Sequence, residues 1–354
     1  MAKERASDKK SDPPPRGGGR RTIIQMVVFG TIASVLGIVG ALSLDWFPVQ
    51  GSTQADSIDT FWDVLLILSV PIFVLVLTVV IFAARDFRMR PGEENLDGPP
   101  IHGSTSLEVA WTTVPALILI GLVTYAWIVL VDIEEAPASP ERQVIVTGEQ
   151  FTWTFEYREP GQKPFKTSQL YLPNKESVKF IVRSKDVLHD FWIPAMRMKI
   201  DAVPGIDTSF RITPKRIGNY PVVCAELCGL GHAFMRQSSH ILSKADFDAW
   251  VKKQDSPAQA TGGGKAKVDG KAIFADQSCG GCHTLADAGS NGATGPDLDK
   301  VLKGKDAAFV KESIVDPAAV VEGGFPNVMP TNYGETLSPA ELNALVKYLV
   351  KATS

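Results

Sequence analysis

Cys224-Ala-Glu-Leu-Cys228-Gly-Leu-Gly-His232-Ala-Phe-Met235 is the stretch on which the reading of this chain turns. It sets two thiols, an imidazole and a thioether close together on one loop. Thiolate, imidazole and thioether are the soft-to-borderline ligands that suit copper, and a weak Met ligand is typical of copper electron-transfer sites. Two thiolates this close can bridge a pair of metal ions, and Gly229 and Gly231 let the loop fold tightly enough to turn both inward. Such a pair needs a second imidazole, and His189 in Asp186-Val-Leu-His189-Asp-Phe-Trp-Ile-Pro194 supplies it. Two other readings stay open on these residues. The same ligand types make a closed Cys2His2 zinc site, and in an oxidising compartment Cys224 and Cys228 would pair as a disulfide. Met235 favours copper, because zinc has little use for a thioether.

The chain of 354 residues is long enough for two or three domains. A net charge of -3 argues against nucleic acid as a partner. Its 4 cysteines fall into two tight pairs, Cys224/Cys228 and Cys279/Cys282, a pattern of metal or cofactor sites rather than of a disulfide framework. A mean hydropathy of +0.05 is high for a chain with 21% charged residues, so apolar segments must alternate with polar domains.

Residues 1–21 are basic and rich in Pro and Gly, a composition that predicts disorder. Thr22 to Leu44 carries no charge and is long enough to span a bilayer. It is either an extra transmembrane helix or a long signal sequence (22–44) removed near Ser43–Ala55. A transmembrane hairpin is expected over 60–135, with spans at about 64–84 and 109–131. Arg85, Arg88 and Arg90 follow the first of these, and Asp132, Glu134 and Glu135 follow the second. By the positive-inside rule the loop between them is cytoplasmic and everything after Asp132 is outside. Glu108 opens the second span, where a helix dipole favours an acid.

From 136 to 253 the pattern changes to short alternating runs broken by turn residues. Gln143–Thr147, Phe151–Phe155, Ser177–Arg183 and Thr208–Thr213 read as strands of an antiparallel sandwich or small barrel. The 224–235 loop then falls between the last two strands. Residues 254–268 have the composition of a flexible linker. A further unit, 269–354, starts with a short helix running into Cys279-Gly-Gly-Cys282-His283. Two thiols on one turn suit thioether attachment of a haem, with the adjacent His beneath the iron. Met329, in Asn327-Val-Met-Pro330, is the candidate distal ligand, and Ser338-Pro339 opens an amphipathic terminal helix.

His189, Cys224, Glu226, Cys228, His232 and Met235 resemble, residue for residue, the dinuclear copper A centre of cytochrome c oxidase subunit II. The resemblance covers about residues 60 to 250, and 269–354 looks like a small class I cytochrome c. The whole is therefore identified as resembling the bacterial caa-type subunit II with a fused cytochrome c. The fold this implies is membrane-anchored α+β: two or three N-terminal transmembrane helices, an extracytoplasmic cupredoxin-like antiparallel β-barrel, and a C-terminal all-α cytochrome unit. In that family the cysteines bridge the coppers, each histidine binds one, and Met and the Glu carbonyl are weak axial ligands. The Glu226 carboxylate would help to hold magnesium at the interface with subunit I. Glu108-Val-Ala-Trp111-Thr-Thr-Val-Pro115 resembles the segment whose glutamate stands at the mouth of a proton path. Gly148-Glu-Gln-Phe151-Thr-Trp153 resembles the aromatic strand that receives electrons from soluble cytochrome c, although Phe151 stands where the family usually has tryptophan.

The resemblance implies a proton-translocating oxidase subunit in a bacterial cell membrane, passing electrons from haem c to the copper pair and on to subunit I. Its partners would be subunits I and III, and its donor a cytochrome c or a quinol:cytochrome c reductase. The oxygen chemistry would lie in subunit I, since no general base, nucleophile or phosphate loop occurs in this chain. The electron-input subunit of a copper-containing nitric oxide reductase is the alternative, since it would share the copper loop. A membrane-tethered copper chaperone would need no haem.

Overall fold

The computed structural model describes residues 20–86, 88, 89, 91, 102–138, 141–254 and 268–354. The expected disordered tail and the 254–268 linker lie almost wholly outside them. Two compact units emerge. Among the described residues, one comprises 20–46 with those of 59–127, and the other Phe47–Ile58 with those of 128–354.

In the first unit three helices are long and apolar enough to cross a membrane: α1 (Arg20–Leu42), α2 (Gln54–Asp86) and α3 (Thr105–Glu134). Their apolar side chains point outward; Leu36, Phe73, Val123 and Trp127 are each more than 60% exposed, as suits a surface that lipid covers. The apolar runs mark only the centres of α2 and α3. At 33 residues α2 is about 50 Å long, against a hydrocarbon core of about 30 Å, so its polar ends extend beyond the lipid. Pro71 and Pro115 lie inside these helices. Each removes one backbone hydrogen bond, a loss that membrane helices tolerate. On α1, Gly37 lies against Val70 and Gly30 against Thr78, so α1 and α2 run antiparallel through a seam of small residues.

In the second unit ten strands form two five-stranded sheets. They are β1 (Arg142–Glu149), β2 (Thr152–Tyr157), β3 (Phe165–Thr167), β4 (Leu170–Pro173), β5 (Val178–Ser184), β6 (His189–Trp192), β7 (Lys199–Ala202), β8 (Thr208–Ile212), β9 (Gly218–Cys224) and β10 (Arg236–Leu242). One sheet is ordered β3-β2-β1-β5-β8, the other β4-β10-β9-β6-β7. Most neighbours are antiparallel, but β1 pairs with β5, and β4 with β10, in parallel. Alternation along a strand reports which face is buried and says nothing of the partner's direction, so these two pairings were not legible beforehand. Between the sheets lies an aromatic core. Phe191 contacts Trp153, Phe155, Phe180 and Phe210, with ring centroids 5.3 to 6.1 Å apart. Helix α4 (Lys244–Gln254) closes one end with Phe247 and Trp250 against Tyr157.

Residues 47–58 also belong to this unit. Gly51 N–H donates to the Ala195 carbonyl at 2.6 Å, Thr53 N–H to the Thr213 carbonyl at 3.0 Å, and the buried Ser52 hydroxyl to the Met196 carbonyl at 3.0 Å. A segment that reads as an interhelical loop is thus stitched into the barrel.

The remaining helices are α5 (Gly270–Asp276), α6 (Cys279–Cys282), α7 (Leu298–Val301), α8 (Ala307–Val315), α9 (Tyr333–Thr336) and α10 (Pro339–Ala352). Helix α10 begins as expected: the Ser338 hydroxyl accepts from Glu341 N–H, and the Glu341 carboxylate accepts from Ser338 N–H. It crosses α5 where a Cβ on Gly270 would lie 2.2 Å from the Ala344 carbonyl oxygen, so only glycine permits the crossing. Ile273, Phe274, Leu345 and Leu349 fill the core between them.

Candidate metal centre and haem pocket

The soft-ligand loop runs from the end of β9 to the start of β10. His189 heads β6, and the pairing of Phe191 with Cys224 across β6 and β9 places its ring beside the loop. Cys224 Sγ lies 3.9 Å from Cys228 Sγ and 3.9 Å from His189 Nδ1. Cys228 Sγ lies 3.6 Å from His232 Nδ1 and 3.9 Å from Met235 Sδ. The Glu226 carbonyl oxygen is 3.2 Å from Cys224 Sγ, while its side chain is exposed. All six residues singled out from the sequence thus converge. Gly229 has a φ of +128°, which requires glycine. Gly231 is constrained differently, since a Cβ there would lie 2.3 Å from the Phe151 ring.

Electrostatics suit a cation at this point. Burial opposes the Cys224 thiolate, yet hydrogen bonding from His189 and nearby N–H groups outweighs it and holds the pKa below the ordinary thiol value. Burial, then the charge of Cys224, pushes the Cys228 thiol up to about 12. Both sulfurs are therefore anionic together only when positive charge neutralises them. The donor set fits a pair of coppers bridged by two thiolates. Asp186, quoted with His189 but given no role, proves to be a positioning residue. Its Oδ1 lies 2.8 Å from His189 Nε2, which leaves Nδ1 turned to the sulfur. Gln150 braces the loop by donating from Nε2 to the Cys228 carbonyl at 2.6 Å.

A cavity of about 300 Å³ gathers Cys279, Cys282, His283 and Met329. The His283 ring lies so close to Gly295 that a Cβ there would come within 2.7 Å of Cε1. His283 Nδ1 is 2.9 Å from the Pro296 carbonyl, which fixes it as the protonated nitrogen and frees Nε2 to act as a ligand. Burial lowers the His283 pKa, favouring the neutral ring that ligation needs. Paired thiols, an oriented imidazole and a thioether around an apolar cavity fit a c-type haem.

Part of that cavity wall comes from the barrel, through Phe151, Phe234 and Gln237. The joint between barrel and helical unit is largely uncharged. Gln169 Nε2 donates to the Asp276 carbonyl (2.9 Å), Gln277 Nε2 to Ser168 Oγ (2.8 Å), Ser278 Oγ to the Arg236 carbonyl (3.1 Å) and Asn332 Nδ2 to Thr154 Oγ1 (2.9 Å). Its ion pair, Lys166–Glu335 at 2.7 Å, is solvent-exposed and contributes little.

The other sequence-derived candidates spread apart. Trp153 is fully buried, its ring edge-on to His189 and Phe191, so of the two aromatics only Phe151 lies in the cavity wall. Glu108 is exposed in the first turn of α3. Met196 lies in the barrel core and Met198 packs against it. His240 stacks on Tyr171 with centroids 4.8 Å apart.

A soft-ligand loop on a β-barrel beside a c-type haem pocket, in a chain with membrane-spanning helices, defines a membrane-anchored electron-transfer protein. Family models match three successive segments: the cytochrome c oxidase subunit II transmembrane domain over 40–129, its periplasmic domain over 165–240, and cytochrome c over 268–353. Cytochrome c oxidase subunit 2 of Alkalihalophilus pseudofirmus is 32% identical over 303 residues, covering 80% of this chain and 85% of that one. Its counterpart in Bacillus sp. (strain PS3) is 32% identical over 289 residues, covering 75% and 79%. The crystal structure of the periplasmic domain of subunit II of cytochrome oxidase (CoxB) of Bradyrhizobium japonicum is 27% identical, covers 34% of this chain and all of that one, and has a TM-score of 0.32. The chain belongs to the cytochrome c oxidase subunit II family, in the form that carries its own cytochrome c unit. Membership implies a dinuclear copper A centre and a haem c, and the role of electron-input subunit beside a subunit I, with a domain outside the membrane.

Proposed function

We propose that this chain is the electron-receiving subunit of a proton-pumping bacterial cytochrome c oxidase, in which electrons reach haem c first, then the copper pair, then the haems of subunit I. The observation that carries this order is the shared wall: residues of the barrel that bears the copper loop close the pocket that holds Cys279, Cys282, His283 and Met329. Cys279 and Cys282 would attach the haem covalently, and His283 and Met329 would supply its iron ligands. His189, Cys224, Cys228 and His232 would hold the coppers, with Met235 and the Glu226 carbonyl as weak ligands. When bound, both groups supply one-electron exchange with little change of geometry.

The residues themselves do three things. Asp186 and the Pro296 carbonyl orient the two imidazoles; the aromatic core excludes water; and the polar joint keeps the two pockets together. The exposed Glu226 carboxylate is free to join a magnesium site at the subunit I interface, since hard cations prefer such oxygens. Glu108 would stand at the mouth of a proton path. In this reading α1 is a third membrane span or a removable signal, subunit III completes the complex, and the donor to haem c is a cytochrome c or its reductase. Both redox units lie on the extracytoplasmic side of the bacterial cell membrane.

Met/His ligation raises a haem potential, and axial ligands command a range of roughly 0.8 V. Met329→His is therefore expected to lower the potential by a sizeable part of that range and to slow reduction of the copper pair. Redox titration with rapid-mixing kinetics checks it. An unchanged potential with unchanged copper reduction would refute both the ligand and the order.

A further inference from the structure

Gly281 is the residue between the two haem-bearing cysteines that faces outward, and it meets the ring of Phe234. A Cβ built on Gly281 would lie 2.6 Å from Phe234 Cδ1, 3.0 Å from Cγ and 3.2 Å from Cβ. The two residues are thus in direct contact across the joint. Gly280, by contrast, faces Ser290 and Phe274 inside its own unit. Nothing in the backbone demands glycine at 281, because it is absent from the residues with positive φ and lies within α6. Glycine is a poor helix former, so the residue is held there at a cost to its own helix. What it permits is the close approach of Phe234.

Phe234 ends the 3-10 turn His232–Phe234 and is two residues beyond the proposed copper ligand His232. Gly281 directly precedes Cys282. The hydrogen bonds from Ser278 to the Arg236 carbonyl and from Gln277 to Ser168 hold this point of contact closed at its edge.

We propose that the Phe234–Gly281 contact is the point of electron hand-over between the cytochrome unit and the copper domain, and that Gly281 is a positioning residue whose missing side chain sets their separation. This rests on the relay order argued above. Any side chain at 281 acts as a wedge, because the near atoms of Phe234 include its Cβ and Cγ and not merely a mobile ring edge.

The test uses the complete oxidase complex with Gly281→Ala, Gly281→Val and Phe234→Ala. Photochemical reduction of the haem gives the haem-to-copper rate, and hydrogen–deuterium exchange of the 232–240 and 277–283 segments reports the joint. Electron transfer falls off exponentially with separation, so Gly281→Val should slow transfer several-fold and Gly281→Ala by less. Exchange protection should fall in parallel, while the haem potential and the copper spectrum stay as in wild type. Phe234→Ala changes no residue of the cytochrome unit, though it opens the shared cavity wall, and should slow transfer too. Phe234→Ala combined with Gly281→Val should regain protection relative to Gly281→Val alone, since removing the ring makes room for the side chain. Wild-type rate and protection in Gly281→Val and Phe234→Ala would overturn the hand-over point while leaving the relay intact. Absence of haem-to-copper transfer in the wild type would overturn the relay, and this proposal with it.

Discussion

Cys279→Ala/Cys282→Ala is expected to yield a chain that inserts in the membrane, keeps its copper and carries no covalent haem. Turnover with soluble cytochrome c should then collapse to a small residue of the wild-type rate. Neither cysteine reaches the copper loop, so the copper spectrum is the internal control. The cytochrome unit covers the barrel face that carries Gln169, Ser168, Thr154 and Arg236, and Phe151 lies in the wall they share. Tethering by the linker gives the attached unit an effective concentration on the order of millimolar, against which a free donor competes poorly. Oxygen consumption and pyridine haemochrome spectra decide the matter. Turnover near the wild-type rate in the haem-free variant would mean that electrons reach copper directly.

Cys228→Ser should abolish the paired site itself. Cys228 is the hub of the loop, since its sulfur approaches Cys224, His232 and Met235 together. A serine hydroxyl is a hard, protonated donor at neutral pH and cannot bridge two soft metals. Metal analysis should show loss of the copper pair, and turnover should fall to background although the haem remains reducible. Retention of a full copper complement would show that Cys228 is not a bridging ligand. A single zinc ion in the wild-type chain would restore the closed zinc reading of the loop.

Both sites were legible in the sequence because their chemistry is local. Cys, His and Met within one loop, or two Cys and a His on one turn, carry their spacing in the chain. The strands around Trp153 and Phe180 and the capped terminal helix declared themselves through alternation and through Ser338-Pro339. The joint between the units did not. Asn332 and Thr154 are 178 residues apart, Gln277 and Ser168 109 apart, and each is an ordinary polar residue whose partner exists only after folding. Gly281 gave no signal either, because glycines inside a Cys-x-x-Cys turn are unremarkable until a ring is seen against one. The Asp186 role had a faint signal, a carboxylate three residues before a ligand histidine. The stitching of residues 47–58 into the barrel had none, since its bonds come from backbone groups and from ordinary polar side chains such as Ser52, whose partners exist only after folding.

The desolvation of Cys279, half-buried in the cavity wall, bears on how the protein is made. In the folded unit burial pushes that thiol up to about 12, and it raises Cys282 as well. The reactive form of a cysteine is the thiolate, so folding would slow the thioether attachment proposed for these two residues. Attachment of a haem through these two thiols is therefore expected to be faster before the helical unit closes around them. Haem offered to prefolded chain should accordingly ligate more slowly than haem offered during refolding, and equal rates would contradict that expectation. The moment at which cofactor meets chain, and not the strength of the final fold, would then govern the assembly of this subunit.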